Sequence, residues 1–302
     1  MRCRAATRSG SPPRPRPDLH PRTTAQHHDQ PPHQPECDRS MTVTREVLAY
    51  YEQGKEDGRL RKGRGRLELW RTQDVLRRAL PSPPARVLDV GGGTGVHAEW
   101  LVADGYEVEL LDPVPLHVER AAALPGLTAR LGDARDLPLP DASADAVLLL
   151  GPLYHLADRA DRVTTLAEAR RVVRPGGLVA AATINRYAAV HDMVYLGVYE
   201  QEPHRRAARQ AMEDGRLLGP VQGFSAYLHD PDEVPGEFAD AGLPDAERYG
   251  LEGAFWLYGD VNDWLDDPER RRLMLDAQRT LERVPSLLGV SGHMLTLARR
   301  PA

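Results

Sequence analysis

Short apolar segments alternate with amphipathic ones from residue 41 onward, and this alternation limits the folds open to the chain. The pattern predicts strands at 86–90, 107–111, 127–131, 145–150, 178–183, near 246–257 and at 293–299. It predicts helices at 44–54, 66–80, 96–104, 115–123, 160–173, 232–241 and 267–283. Apolar strands separated by helices are typical of a parallel sheet covered on both faces. The predicted fold class is therefore α/β, with a doubly wound, mostly parallel, seven-stranded sheet.

The chain outside the predicted core divides into four further regions. Residues 41–80 are predicted to form a helical cap before the core at 86–183, 186–230 an inserted helical lid, and 231–302 the last part of the sheet. Residues 1–40 hold eight of the 26 prolines and almost no aliphatic side chains, so we expect them to be disordered. Met41 begins the patterned segment, and we hypothesise that it is the first residue of the native protein.

Charge and hydropathy exclude several classes of function. The 39 basic and 44 acidic residues give a net charge of −5, which provides no overall field to attract nucleic acid or an anionic membrane. The longest apolar runs, among them Ala146 to Leu150, are far shorter than the roughly 18 residues of a spanning helix. No apolar signal-peptide region stands near Met1, so the cytoplasm is the expected location. A small-molecule partner is favoured, and the oligomeric state is left open.

Cysteine placement limits the chemistry further. Cys3 and Cys37 both lie in the proline-rich segment, so residues 41–302 contain no cysteine. Disulfides, a cysteine nucleophile and thiolate zinc sites are thereby excluded from the folded region. We predict no metal site, and expect the chemistry to come from oxygen and nitrogen groups.

A glycine turn follows the first predicted strand. Asp89 lies in that strand, and Gly91, Gly92, Gly93 and Gly95 connect it to the next helix. A backbone without side chains can approach a ligand closely, and the amides at the start of the helix face it. Because ligands of open parallel sheets bind outside the carboxyl ends of the strands, the turn predicts a binding site at that edge.

The second and third strands also end in residues suited to a nucleoside. Asp112 ends the second strand, where its carboxylate can accept both hydroxyl protons of a ribose, and Pro113 keeps the chain extended. Asp133 follows the third strand and can accept a hydrogen bond from an adenine amino group, while Ala134 can offer its backbone amide. These residues favour a ligand that contains a nucleoside.

The fourth strand leads into Gly151, Tyr154 and His155 at the mouth of the predicted crevice. His155 is the candidate general base for an acceptor that is protonated at neutral pH. The alternative is a histidine hydrogen-bonded within the crevice wall. Tyr154 is predicted to pack on the adenine or on the substrate, or else to belong to the core.

Four stretches resemble the class I S-adenosylmethionine-dependent methyltransferases that act on small molecules. They are VLDVGGGTG (87–95), ELLDP (109–113), LGDARDLPLPDASADAVLLLGPLYHL (131–156) and RVVRPGGLVAAA (171–182). The resemblance implies a Rossmann-like methyltransferase fold. It also implies that Asp89 and the backbone of 91–95 hold the methionine part of the cofactor, Asp112 the ribose, and Asp133 with Ala134 the adenine.

The cap and the lid carry the remaining candidates. Tyr51 and Arg59 are predicted to close on the methionine carboxylate, Arg59 through a charge-assisted pair; the alternative is a solvated charged helix. The lid contains residues that would frame an aromatic or amphipathic acceptor, about half of which we expect to be ordinary core: Tyr187, Tyr195, Tyr199, Phe224 and Tyr227, with His191 and His229.

The predicted function is transfer of a methyl group to nitrogen or oxygen, with carbon as a further option, of a small molecule by direct in-line displacement. One alternative is an NAD(P)-binding oxidoreductase, because Asp112 would also suit the ribose of NAD. Its G-x-G-x-x-G pattern would need glycine where Val96 stands. The other is a non-catalytic module that binds S-adenosylmethionine, for which Asp89, Asp112 and Asp133 together would have no evident need.

Overall fold

The structure, a computed structural model, describes residues 49–52, 54, 58–217 and 225–302. The chain divides into two units, Met1–Asp38 and Arg39–Ala302, and every described residue belongs to the second. The predicted disordered segment 1–40, most of the predicted helix 44–54 and the lid residue Phe224 lie outside the described residues.

The described residues form the following elements, numbered in chain order. The strands are β1 (Arg86–Val90), β2 (Glu107–Asp112), β3 (Thr128–Leu131), β4 (Ala144–Leu149), β5 (Val173–Ile184), β6 (Arg216–Leu217), β7 (Ala226–Tyr227), β8 (Glu247–Gly250) and β9 (His293–Arg299). The helices are α1 (Gly65–Ala79), α2 (Val96–Ala103), α3 (Pro115–Ala122), α4 (Arg159–Val172), α5 (Ala188–Tyr195), α6 (Glu202–Asp214), α7 (Val234–Asp240), α8 (Val261–Asp266), α9 (Pro268–Leu281) and α10 (Pro285–Leu288). Short 3-10 helices span Arg59–Arg61, Pro152–His155 and Phe255–Leu257. None of the helices in the described ranges is long and apolar enough to cross a membrane.

Seven of the strands form one sheet, in the order β3-β2-β1-β4-β5-β9-β8. Strand β9 runs antiparallel to both of its neighbours, and the other neighbouring strands are parallel. The predicted doubly wound, mostly parallel, seven-stranded sheet is confirmed. The strand order reverses between β1 and β4, which is the place where open α/β sheets bind ligands.

Both faces of the sheet are covered, as continuous apolar strands require. Leu88 and Val147 belong to a buried cluster on one face, which helices α4 and α7 complete. Val87 and Leu148, their neighbours along β1 and β4, belong to a second cluster on the opposite face with residues of α1, α2 and α3. Alternate residues of each strand therefore anchor opposite helical layers, and this holds the carboxyl edge of the sheet in place.

The lid at 186–230 is only partly the helical region that we expected. Helices α5 and α6 are present, but α6 ends at Gly215, whose φ of 78° is a left-handed conformation suited to glycine. Strands β6 and β7 then pair antiparallel with each other. They have two residues each, which is too short for a strand pattern to show in the sequence.

A buried arginine ties α1 to the C-terminal part of the fold. Arg71 is fully buried, and its Nε donates to the carbonyl oxygen of Leu251 at 3.1 Å. Its guanidinium also forms ion pairs with Glu282 and Asp74. A buried charge is tolerated only when such partners compensate its desolvation. The network thus fixes the helix that also carries Glu68, a residue of the site described below.

Replacing Arg71 with methionine should lower the free energy of unfolding by about 3 kcal/mol, because the buried carboxylate of Glu282 loses one of its cations. The matched variant Arg77→Met breaks an exposed pair with Asp104 and should cost about 1 kcal/mol or less. Urea unfolding followed by circular dichroism measures both values. Equal losses in the two variants would contradict a structural role for the buried network.

Candidate functional site

A cavity opens at the carboxyl edge of the sheet, beside the reversal between β1 and β4. Its wall contains most of the residues that the sequence predicted for a ligand site: Tyr51, Arg59, Gly91, Gly93, Asp112, Pro113, Ala134, Gly151, Tyr154 and His155. We call it the first cavity. Three predicted residues are not part of its wall: Asp89, Gly95 and Asp133.

The glycine turn shapes one side of the first cavity. Gly91 and Gly93 have φ values of 68° and 57°, which favour glycine. A Cβ atom on Gly91 would lie only 2.8 Å from Cγ of Pro152, so the turn and the segment after β4 can approach this closely only with glycine there. Gly95, with φ of 89°, precedes α2 and packs near Leu124, so it shapes the turn without facing the cavity.

Asp112 joins the glycine turn to the loop after β2. Its carboxylate accepts hydrogen bonds from the backbone amides of Gly93 and Val114, both at 2.9 Å. Nδ1 of His117 lies 3.0 Å from the same carboxylate. His117 also lines the first cavity, and the sequence analysis missed it because a single histidine inside a predicted helix gives no signal of a binding site.

Asp89 lies directly beneath the glycine turn. It is fully buried, and neither carboxylate oxygen has a hydrogen-bond partner among the described residues. A Cβ atom on Gly92 would lie 2.6 Å from one of these oxygens, which shows how closely the turn covers them. Burial raises the pKa of Asp89 to about 7, and the nearby charge of Asp112 adds to the increase. A carboxylate in this state is suited to a cationic ligand group.

The Asp133 carboxylate is paired with a neighbouring arginine. Its carboxylate accepts from the backbone amide of Arg135 at 2.8 Å and from the Arg135 guanidinium at 2.9 Å. Arg135 in turn pairs with Asp161 at 3.2 Å. A neighbouring cation thus holds the carboxylate outside the cavity wall, whereas Gly132 and Ala134 on either side line it. Contact between Asp133 and an adenine group stays a prediction.

Arg59 is paired with a carboxylate of the protein itself. Its guanidinium forms a bidentate ion pair with Glu68, with N–O distances of 2.7 and 3.2 Å. A pair between Arg59 and the methionine carboxylate stays a prediction. Tyr51 contributes its hydroxyl group, which lies 2.8 Å from Nε2 of His155. The sequence showed that these residues precede the sheet, but not that Glu68, nine positions after Arg59, would pair with it.

His155 and Tyr154 complete the wall opposite the glycine turn. Their rings lie 4.6 Å apart, centre to centre. Burial lowers the pKa of His155 to about 4, although the charge of Asp112 works in the opposite direction. The imidazole is therefore neutral at pH 7 and only weakly basic. Catalytic roles for His155 and Tyr154 stay predictions.

A second cavity, of about 640 Å³, adjoins the first and shares four wall residues with it: Tyr51, Arg59, Glu68 and Tyr154. This size suits a small molecule. Apolar residues form much of its wall: Ile184, Ala188, Ala189, Leu217, Ala226, Leu228 and Trp256.

The aromatic residues of the lid that we expected around an acceptor are not part of this wall: Tyr187, Tyr195, Tyr199 and Tyr227. Other contacts hold two of them. The hydroxyl group of Tyr187 donates to Asp230 at 2.8 Å, and the ring of Tyr227 lies 3.7 Å from the guanidinium carbon of Arg162. The sequence could not separate these packing roles from a ligand contact, because both place an aromatic residue in a lid helix or strand.

The wall of the second cavity brings together three ionisable residues, Glu68, Glu252 and His293, and no sequence pattern indicated this cluster. His293 at the start of β9 lies with Nδ1 2.6 Å from Glu252 and 3.6 Å from Glu68. Burial alone would lower the pKa of His293, but the two carboxylates raise it above its ordinary value. Burial alone would raise the pKa of Glu68, but Arg59 and His293 hold it well below its ordinary range. The groups come from distant parts of the chain, so only the fold brings them together.

The side-chain donor atoms of Glu68, Glu252 and His293 all lie within 4.8 Å of one another, close enough to surround a cation. Their existing contacts argue against that use. Glu68 is already paired with Arg59, and Nδ1 of His293 is directed at Glu252. A coordinating nitrogen would need a free lone pair, so these contacts favour a hydrogen-bonded pair over a cation site.

Comparisons with known proteins agree with this geometry. Residues 88–181 match the model of a methyltransferase domain. An uncharacterized methyltransferase of Mycobacterium tuberculosis is 46% identical over 100 residues, which cover 32% of this chain and 39% of that protein. The ubiquinone biosynthesis O-methyltransferase of Methylocella silvestris is 33% identical over 179 residues, which cover 50% of this chain and 69% of that protein.

Solved structures share the fold. A putative methyltransferase of Haloferax volcanii, solved in complex with a methyltransferase activator, has a TM-score of 0.55 and 25% identity, covering 86% of this chain and 100% of that one. A methyltransferase of Thermotoga maritima has a TM-score of 0.55 and 15% identity, covering 84% and 98%. The chain belongs to the class I S-adenosylmethionine-dependent methyltransferases, as the match to the Methylocella protein shows. It spans about two fifths of the mycobacterial relative, 39%.

Replacing Asp89 with asparagine should change how stability depends on pH. The folded protein holds the Asp89 proton up to a pKa of about 7, whereas the unfolded chain releases it near the ordinary aspartate pKa of 3.8. Between these two pH values the folded state therefore binds more protons than the unfolded state. As the pH rises through this range, the free energy of unfolding of the wild type should fall relative to that of the variant by up to about 1.4 kcal/mol per pH unit. Urea unfolding at several pH values from 4 to 8 measures the difference. Parallel curves for the two proteins would show that the pKa of Asp89 is not raised.

Proposed function

We propose that this chain transfers the methyl group of S-adenosylmethionine to an oxygen or nitrogen atom of a small molecule, by direct in-line displacement. The observation that carries the proposal is the junction of two cavities at the carboxyl edge of the sheet. The first contains most of the predicted cofactor residues. The second is larger and lies beneath the lid, and Tyr51 and Tyr154 belong to both walls. A donor and an acceptor can thus meet without leaving the protein.

The first cavity fits the cofactor in two respects. The carboxylate of Asp89, which lies beneath the cavity wall and has no hydrogen-bond partner among the described residues, suits the ammonium group of the methionine part, and the close turn at Gly91 allows the backbone to approach the cofactor. In this assignment Asp112 holds the ribose hydroxyl groups and Ala134 contacts the adenine. The carboxylate of Asp112 is already ordered by the amides of Gly93 and Val114, so little entropy is lost in orienting it.

The bound cofactor supplies a sulfonium methyl group that is electrophilic enough to react without a covalent enzyme intermediate. The residues of this chain contribute position and exclusion of water, which can together supply roughly 7 to 11 kcal/mol of the barrier. Tyr51 and Tyr154 separate the two cavities, and the paired Arg59 and Glu68 stand beside them. We place His155 in the wall, where it orients Tyr51, because its low pKa makes it a poor proton acceptor.

The acceptor itself is identified by methyl transfer from labelled cofactor into a metabolite extract, followed by mass spectrometry. The proposal expects label in small metabolites. The net charge of −5 gives no field that would draw RNA or DNA to the chain. Label that appears mainly in nucleic acid or in protein would overturn the small-molecule assignment.

Replacing Asp112 with asparagine should weaken binding of S-adenosylhomocysteine by about 1.5 to 3 kcal/mol, the scale for hydrogen bonds to a charged group. Asp104→Asn, at a position outside both cavity walls, is the control and should leave binding unchanged. Isothermal titration calorimetry measures the affinities, and NAD should not bind to the wild type. If Asp112→Asn binds S-adenosylhomocysteine as tightly as the wild type does, Asp112 does not contribute to cofactor binding. If the wild type binds NAD in preference to S-adenosylhomocysteine, the protein is an oxidoreductase instead.

Replacing Ala188 with phenylalanine should fill part of the second cavity, whose wall contains this buried residue. Methyl transfer into the extract should fall at least about tenfold, because the acceptor can no longer reach its reactive position. Affinity for S-adenosylhomocysteine should stay unchanged. Ala122→Phe, at an exposed position of α3, is the matched control. Loss of cofactor affinity together with activity in a folded Ala188→Phe protein would contradict separate cavities for donor and acceptor.

A further inference from the structure

The wall of the second cavity holds a histidine and glutamate pair that the proposed cofactor site does not use. The Glu252 carboxylate lies 2.6 Å from Nδ1 of His293, and it also accepts from the His293 backbone amide at 2.9 Å. The hydroxyl group of Ser291 donates to the same carboxylate at 2.8 Å. Glu252 is thus fixed by several bonds, and it fixes the imidazole in turn.

This arrangement determines which ring nitrogen of His293 is available. With Nδ1 donating to Glu252, the neutral imidazole carries its lone pair on Nε2. Nε2 makes no hydrogen bond to any residue in the described ranges, and His293 is part of the cavity wall. A ligand in the second cavity would therefore meet a histidine nitrogen that can accept a proton.

The position of His293 in the sheet places it next to the junction of the cavities. His293 on β9 pairs with Ile184 at the carboxyl end of β5, so it lies at the same edge of the sheet, one strand beyond β5. Nδ1 of His293 lies 3.6 Å from Glu68, which belongs to the walls of both cavities. A proton acceptor at this position is close to the place where an acceptor molecule would face the cofactor.

The charges around the second cavity distinguish between classes of acceptor. Each carboxylate of the described wall is already engaged: Glu68 with Arg59, Asp192 with Arg64, and Glu252 with His293. Lys62, by contrast, forms no ion pair with any residue that the structure describes, although it lies in the same wall. A cationic amine would find no uncommitted carboxylate here, whereas an oxygen that becomes negatively charged would be stabilised. Together with the apolar remainder of the wall, this favours a largely apolar acceptor that carries an acidic hydroxyl group, as a phenol does.

We propose that His293, held by Glu252, is the catalytic base that removes the proton of a phenolic hydroxyl group in the second cavity. The inference rests on the proposed methyltransferase function and specifies its acceptor as a phenol. Nε2 of His293 takes the hydroxyl proton while the phenol oxygen bonds to the methyl carbon, whose bond to sulfur breaks with its electron pair passing to sulfur. The imidazolium then returns its proton to water. Glu252 acts as a positioning residue.

The electrostatic surroundings of His293 agree with this role. Glu68 on α1 and Glu252 after β8 raise its pKa, whereas burial and the guanidinium of Arg59 act in the opposite direction, and the pKa stays above its ordinary value. A stronger base takes a proton from a phenol more readily. His155, whose pKa burial lowers to about 4, is the weaker base of the two.

The test compares two phenols that differ in ionisation. At pH 8, 4-methoxyphenol is protonated, whereas 4-nitrophenol is largely ionised and needs no base. His293→Gln should lower turnover of 4-methoxyphenol by roughly 10²- to 10⁴-fold and turnover of 4-nitrophenol by less than about tenfold. His204→Gln, on α6 and outside both cavity walls, is the matched control and should leave both rates unchanged. Equal losses on the two phenols would show that His293 only shapes the cavity, and would overturn the inference.

The wild-type rates separate this inference from the proposed function. Wild type that binds S-adenosylhomocysteine but methylates neither phenol would overturn the phenol assignment and leave the cofactor site intact. If the wild-type protein does not bind S-adenosylhomocysteine, the proposed function and this inference are both contradicted. Activity that is lost with EDTA and restored by Mg²⁺ would assign Glu68, Glu252 and His293 to a cation, and would also overturn the base role.

A measurement without turnover tests the pair directly. Nitrogen NMR of labelled protein follows the titration of His293, assigned through its loss in His293→Gln. The pKa of His293 should lie above its ordinary value in the wild type and fall in Glu252→Gln, because the variant removes one of the two carboxylates that stabilise the imidazolium. The midpoint of the pH profile for 4-methoxyphenol should move in the same direction. An unchanged His293 pKa in the variant would contradict the positioning role of Glu252.

Discussion

The hydrogen bonds of the Asp112 carboxylate hold the first cavity together. One oxygen accepts from Gly93 in the turn after β1, and the other accepts from Val114 in the loop after β2. The loops that follow neighbouring parallel strands meet at one edge of the sheet, and the Asp112 carboxylate joins two of them there. The first cavity depends on this carboxylate for its shape, even before a ligand contacts it.

Differences in burial and pairing separate the ionisable groups of the two cavities. Burial is the largest influence on Asp89 and on His155, so the pKa of Asp89 rises and that of His155 falls, even though the charge of Asp112 acts against the change at His155. His293 is bordered by two carboxylates, and its pKa moves the other way. The first cavity thus offers a site for a cationic ligand group, and the second offers a base. This division agrees with a cofactor in one cavity and an acceptor in the other.

The sequence predicted the fold and much of the first cavity because both follow from local patterns. Strand and helix periodicity identified the parallel sheet, and residues at the ends of strands had to meet at one edge. Contacts between distant residues were not predictable in this way. No local sequence pattern indicates that Glu252 and His293 are in contact. The charged partners of Arg59 and Asp133 also depend on the folded structure and could not be identified from the sequence. The hairpin of β6 and β7 was missed because its strands are too short to show a period.

A crystal structure of the protein with bound S-adenosylhomocysteine tests the central claim most directly. The account predicts electron density for the ligand in the first cavity, with its ribose at Asp112 and its ammonium group near Asp89, and with its sulfur facing the second cavity between Tyr51 and Tyr154. Density in the second cavity instead, or a ligand whose sulfur points away from that junction, would contradict the assignment of donor and acceptor sites.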